Sequence, residues 1–243
     1  MRRFVILATL RTGSNYLCGL LNSHPDIRCY TAPLSSRFDV RHNVPGMDER
    51  FADLEFRRAH AFDYIAAIES ATPDAPVMGF KLMLVQDRRL RLLRRLAVER
   101  SYNVPLLSRD NFLAKYASAQ LARKTGQGVA LQGQAVARDT VHFDGASFLD
   151  YAGGVEKRYR KARRVLRQLD RPFLKLEYCR LGDEVEHRRI TDFLGLPYAP
   201  LSSRHKKRNP SRIVERFDNP AEVQSFLERH DLLHWAEEDA GAG

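Results

Sequence analysis

The chain has 243 residues, of which 44% are hydrophobic and 29% charged; this is the balance of a folded protein with its own core and excludes a disordered or fibrous chain. Forty Lys and Arg against 30 Asp and Glu leave a formal net charge of +10, so the expected partner is an anion: nucleic acid, a membrane surface, a nucleotide or an acidic glycan. Cys18, Cys29 and Cys179 are the three cysteines; too widely spaced for a disulfide framework or a zinc set, they read as reduced thiols.

Met1-Arg2-Arg3 ahead of an apolar run has the start of a signal peptide. Arg11 ends that run early, and no small-residue cleavage site follows. No stretch approaches the ~18 apolar residues of a membrane span, and a cytoplasmic protein is expected. Residues 4–9 read as a buried parallel strand. From Ser14, Tyr16, Leu17, Leu20 and Leu21 recur at helical spacing until His24-Pro25. Residues 33–58 are polar and irregular, and 62–70 are helical. "VMGFKLML" (77–84) is a second strand, 88–98 a basic amphipathic helix, and 104–107 a third strand that runs into a helix closing at Gly126. A loop or lid is expected over 127–146. A long helix spans 148–169, with Gly153-Gly154 as its weak point. "PFLKLEY" (172–178) is a fourth strand, 184–194 a helix, 202–220 a basic loop, and 221–230 a last short helix. Strands alternating with helices predict an α/β, P-loop-like three-layer fold in one domain, with a mostly parallel central sheet flanked by helices.

The turn Arg11-Thr12-Gly13-Ser14 between the first strand and the first helix is built for an anion. The first helical turn leaves N–H groups unpaired, and the helix dipole adds positive charge. Gly13 permits close approach, Thr12 and Ser14 supply hydroxyls, and Arg11 supplies charge. The NTPase pattern GxxxxGK[ST] is absent, as is a carboxylate at the strand end for Mg²⁺. The bland alternative is a capped helix beside a solvated Arg11. A second strand-to-helix junction, "LLSRDNFLAKYASAQLAR", repeats the device with Arg109 and Ser118. Two such junctions fit a ligand with two anionic ends.

These stretches together resemble the phosphoadenosine-phosphosulfate-dependent sulfotransferases, in particular bacterial carbohydrate sulfotransferases of the nodulation and trehalose type. The first loop is also similar to that of tyrosylprotein sulfotransferases. "LRTGSNYLCGLLNSHPDI" resembles the loop for the donor's 5′-phosphosulfate, and "LLSRDNFLAKYASAQLAR" the site for its 3′-phosphate. "VMGFKLM" is similar to the family's Gly-x-Lys strand. "LKLEYCRL…ITDFLGLP" resembles the strand and helix before the C-terminal region, and "KKRNPSRIVERFDNPAEVQSFLE" the basic tail. The resemblance implies that Arg11, Thr12, Gly13, Ser14, Asn15 and Tyr16 hold the 5′ end, and that Arg109 and Ser118 hold the 3′-phosphate. Lys207 and Arg208 would close over the nucleotide, with Arg11 and Lys81 at the reacting centre. The implied donor is 3′-phosphoadenosine 5′-phosphosulfate. No metal is implied, because fixed cationic side chains neutralise the charge. The acceptor would be a hydroxyl of a carbohydrate or glycolipid, lined by 30–60 and 127–146.

The pattern fails at two positions. The family's general base, a Glu shortly after "HP", falls on Ala32, which cannot take a proton. The base could be Asp39, His42, Glu49 or His24; a loose transition state could need little base help; or the protein could bind phosphoadenosine nucleotides without turnover. Cys179, where the family often has Glu, is a second departure and reads as structural. A nucleic-acid module is disfavoured because aromatics do not interleave the basic runs. A small-molecule kinase is disfavoured by the missing Lys and carboxylate. The basic helix around 156–171 keeps an apolar stripe at Val155, Tyr159, Ala162, Leu166 and Leu169, with its cations elsewhere on the wheel. Trp235 reads as packing.

Overall fold

A computed structural model describes residues 1–99, 101–126, 139–203 and 212–238. The strands are β1 (Arg2–Ala8), β2 (Ile27–Tyr30), β3 (Val77–Met83), β4 (Val104–Ser108) and β5 (Phe173–Glu177). All pair in parallel, in the order β2-β3-β1-β4-β5. The helices are α1 (Ser14–Leu21), α2 (Val40–Asn43), α3 (Leu54–Ala59), α4 (Ala61–Ser70), α5 (Arg91–Glu99), α6 (Phe112–Thr125), α7 (Gly145–Gln168), α8 (Glu184–Leu194) and α9 (Pro220–Arg229).

Side chains alternate across a strand, so a sheet buried on both faces needs near-continuous apolar runs. β1 supplies one: Val5 and Leu7 join a core with α4, α5 and α7, while Phe4, Ile6 and Ala8 join the opposite core with α1 and α8. The expected α/β sheet with flanking helices is therefore what forms. β2, a short edge strand interrupted by exposed Arg28, is a fifth strand that periodicity does not reveal. The segment expected to be irregular over 33–58 contains α2 and α3. Asp39 and Asp53 cap these two helices, accepting from His42 N and Phe56 N.

α7 runs unbroken through Gly153 and Gly154, because its apolar stripe (Val155, Tyr159, Ala162, Leu166) packs on the sheet and outweighs the local propensity loss of about 1 kcal/mol per glycine. α5 starts at Arg91, three residues later than its pattern predicts; Asp87 caps it by accepting from Arg91 N and Leu93 N, each at 2.9 Å. A third core covers α6. Tyr116, Phe143, Phe148, Phe217 and Phe226 meet there edge to face or stacked, and Trp235 packs on Phe112 and Phe148. Of the expected 127–146 loop, the described part contributes buried Val141 and Phe143 to this core and then starts α7. Ile213, Arg216 and Phe217, within the expected basic loop, are buried as well.

The strand order fixes where a ligand goes. The chain leaves β1 towards β2 on one side, with α1 on one face, and reaches β4 on the other side after α5 on the opposite face. The C-terminal ends of β1 and β4 thus flank a topological switch point, where open α/β sheets bind ligands.

Within β3, Gly79 lies opposite Phe4 in the register, and a Cβ there would overlap the Phe4 ring. Gly79→Ala is expected to lower stability by about 1–3 kcal/mol through overpacking, read as a reduced urea midpoint; an unchanged midpoint would show that Phe4 has room to move.

Candidate functional site

The turn after β1 is held in an unusual shape. Arg11 has φ 65° and Gly13 has φ 75°. At Gly13 a side chain is excluded twice, by the backbone angle and by the ring of Tyr178, which a Cβ would overlap. At Arg11 the left-handed backbone costs roughly 1–2 kcal/mol. Against that stand two hydrogen bonds: the Arg11 Nε donates to Ser118 Oγ at 2.7 Å, and the Arg109 Nη1 donates to the Arg11 carbonyl at 3.1 Å. Bonds from charged donors contribute roughly 1.5–3 kcal/mol each, enough to hold the turn.

Those two bonds join the two junctions, which are 107 residues apart along the chain at Arg11 and Ser118. Ser118 faces the turn from the second helical turn of α6, and Arg109 reaches it from the end of β4. Ser14 is buried as the first residue of α1, and Asn15 and Tyr16 are half-buried beside it. The Thr12 hydroxyl turns inward and donates to the Thr9 carbonyl at 2.9 Å. Lys81, inside β3, donates to the Asn15 Oδ1 from beneath the loop. Burial holds the Lys81 ammonium below its ordinary range; Cys18 and Cys29, a buried thiol pair linked by a hydrogen bond, adjoin it. Lys207 and Arg208 lie outside the described residues.

Sequence reading gives no site role to four further groups at this edge; it places one of them, Tyr159, in an apolar stripe. Lys115 is fully buried on α6, and its Nζ donates to Thr9 Oγ1 at 2.8 Å. The Tyr159 hydroxyl accepts from Thr9 N at 3.2 Å and donates to the Leu107 carbonyl at 2.6 Å. The turn is thus anchored at Thr9 from both α6 and α7. Glu177 accepts from Ser108 Oγ and Asp110 N, each at 2.8 Å. Glu238, near the end of the described chain, takes the Arg109 guanidinium: Nε donates at 2.7 Å, and Nη2 bonds the second carboxylate oxygen. Arg109 also lies over the Tyr178 ring, 4.6 Å from its centre. A lysine on the buried side of α6, in register with Ser118, was the available signal for Lys115; Glu238 carried none.

Electrostatically the edge is cation-rich. Burial, then the neighbouring Arg109 charge, pushes Lys115 down to about 7. The same two causes lower Arg216 to about 10, with Glu238 opposing. Burial raises Glu177 to about 7 and Tyr159 to about 12. Such a cluster favours an added anion over an added cation.

The loop after β2 is held differently. Ala32 stands two residues past β2 with φ 51°, and its carbonyl accepts from Ser35 N at 2.9 Å. Arg57, buried on α3, donates to the carbonyls of Pro33 and Phe38 at 3.0 and 3.2 Å and ties this loop down. Both His24 ring nitrogens are engaged by backbone, with Pro197 O at 3.0 Å and Asp26 N at 3.1 Å. That marks a helix-end residue. Asp39 caps α2, His42 is exposed, and Glu49 pairs with Arg41 at 3.5 Å on the surface.

Because Lys115 loses protons more readily folded than unfolded, the unfolded chain binds more protons between about pH 7 and the ordinary lysine value of 10.5. This group's penalty is full below pH 7 and fades as pH rises, so its contribution to stability increases with pH over that window. Lys115→Met is expected to flatten that slope in denaturation curves taken from pH 7 to 10; an unchanged slope would show that Lys115 keeps its proton.

No family model matches the chain, and no curated protein matches it. Among solved structures it is similar to the sulfotransferase STF9 from Mycobacterium avium, with a TM-score of 0.53 at 13% identity, over 99% of this chain and 78% of that one. The chain therefore shares a distant fold likeness with a sulfotransferase.

Proposed function

We propose that the protein transfers a sulfuryl group from 3′-phosphoadenosine 5′-phosphosulfate to a hydroxyl of a carbohydrate or glycolipid. The observation that carries the reading is the meeting of the two anion junctions: Arg11 on Ser118, and Arg109 on the Arg11 carbonyl. A ligand with phosphates at both ends of an adenosine fits a turn at β1 and a second site at β4. The sulfotransferase-like fold supports the same assignment.

In this reading the turn amides, Ser14 and Arg11 bind the 5′-phosphosulfate, and Arg109 and Ser118 the 3′-phosphate. Lys81, below Asn15, serves the reacting centre. The acceptor oxygen attacks sulfur in line. The S–O bond to the 5′-phosphate breaks as the new one forms, adenosine 3′,5′-bisphosphate leaves, and the hydroxyl proton passes to a base or to water. Fixed donors aimed at the sulfuryl oxygens and the leaving oxygen provide most of the acceleration. A second reading, nucleotide binding without turnover, is favoured by Ala32, which offers no base where one is needed.

Adenosine 3′,5′-bisphosphate is expected to bind at micromolar affinity, about −8 kcal/mol, and ATP, without a 3′-phosphate, much more weakly. Arg109→Ala should weaken the bisphosphate by at least ~1.5 kcal/mol. Superimposable titrations for ATP and the bisphosphate would end the sulfotransferase reading. Ala32→Glu is expected to raise turnover of labelled donor on a glycan panel, by up to the ~10²–10⁴-fold typical of a positioned base. No turnover in either protein, with tight bisphosphate binding in both, would select the non-catalytic reading.

A further inference from the structure

The anion position of Arg109 already holds an anion. Both oxygens of Glu238 meet the guanidinium in a fork, the geometry by which arginine also takes a phosphate. Arg109 and Glu238 are each 7% exposed. The residues leading to Glu238 are fastened around the site: Asn111 Nδ2 donates to the Trp235 and Glu237 carbonyls, each at 3.1 Å, and Ile213 N donates to the Ala236 carbonyl at 2.7 Å. Trp235, the only tryptophan of the chain, packs on Phe112, the first residue of α6.

We propose that Glu238 is an intramolecular ligand of the phosphate site, so that a phosphate ester gains Arg109 by displacing the chain's own carboxylate. The proposal rests on one part of the proposed function, that Arg109 binds a phosphate group. A buried ion pair adds little net stability compared with apolar packing, but either charge left alone is costly, so Glu238 gives up Arg109 only to another anion. It does supply the cation cluster of Arg109 and Arg216 with a charge when no ligand is present. A phosphate monoester near neutral pH carries more charge than a carboxylate and makes the same fork, so it competes well; a monoanion does not. The contact therefore lowers the affinity of every ligand that needs Arg109 by the fraction of time Arg109 is open.

The experiment is calorimetric titration of wild type and Glu238→Gln with adenosine 3′,5′-bisphosphate, ATP and inorganic phosphate, with Trp235 emission followed in parallel. Glu238→Gln should bind the bisphosphate about ten-fold tighter, which corresponds to Arg109 being open about a tenth of the time in wild type. Saturating wild type should shift Trp235 emission as the segment moves. Equal or weaker binding by a folded Glu238→Gln overturns the proposal, as does the absence of any anion binding in both proteins. Inorganic phosphate separates this from the nucleotide reading. If ATP and the bisphosphate bind alike but phosphate tightens in Glu238→Gln, the proposal stands and the nucleotide reading falls. If the bisphosphate is preferred over ATP but Glu238→Gln gains nothing, the reverse holds. Should Glu238→Gln fail to fold, Glu238→Asp, which keeps the charge but shortens the reach, should still show a smaller gain, and the lack of one overturns the proposal.

Discussion

The buried guanidinium of Arg109 bonds the carbonyl of Arg11 and the carboxylate of Glu238 and lies over the ring of Tyr178. Four stretches of chain, those after β1, β4 and β5 and the C-terminal segment, are thereby fixed relative to one charge. The Arg109 and Ser118 partners of Arg11 offset the roughly 1–2 kcal/mol that the left-handed backbone costs there. Tyr178 completes the arrangement by filling the space a side chain at Gly13 would need.

Beneath that point the polar groups are arranged so that each has a role in holding the turn. Thr9 ends β1 and is met by Lys115 from α6 and Tyr159 from α7; its carbonyl receives the Thr12 hydroxyl. A lysine fully out of water is costly to keep charged, which is why its proton is loosened to about 7. The opposing raised value of Glu177, also about 7, has the same origin in burial. The edge of the sheet thus concentrates cations whose solvation has been removed, the condition under which a bound anion is worth most.

The two sides of the site differ in kind. On the β4 and β5 side, charged groups are buried and interlocked. On the β2 side, the loop around Ala32 is held by backbone contacts: Arg57 grips two of its carbonyls, and Asp39 is spent on capping α2. The β4 and β5 side is therefore held by charge-to-charge contacts, whereas the β2 side is held by side chains bonded to backbone.

Local pattern was enough for the elements whose burial is periodic. β1, β3 and β4 are largely apolar runs, β5 keeps Phe173, Leu174 and Leu176 around an exposed Lys175, α7 carries an apolar stripe, and α8 spans its expected residues, closing at Gly195 in the left-handed conformation. The two strand-to-helix junctions were legible for the same reason, because the glycine, hydroxyls and arginine of the turn are adjacent in sequence. β2 was not, since four residues with an exposed arginine carry no period; its pairing to β3 makes it a strand. Nor were Lys115 and Glu238, whose meaning depends on partners 106 and 129 residues away. Sequence alone thus determined the layered fold and the place of the strand-to-helix turn within it, through short-range periodicity and backbone constraint. Only the tertiary structure decided that the two junctions meet at Arg11 and that Arg109 holds the chain's own carboxylate, because charges far apart along the chain become neighbours only when the parallel sheet gathers the ends of its strands at one edge.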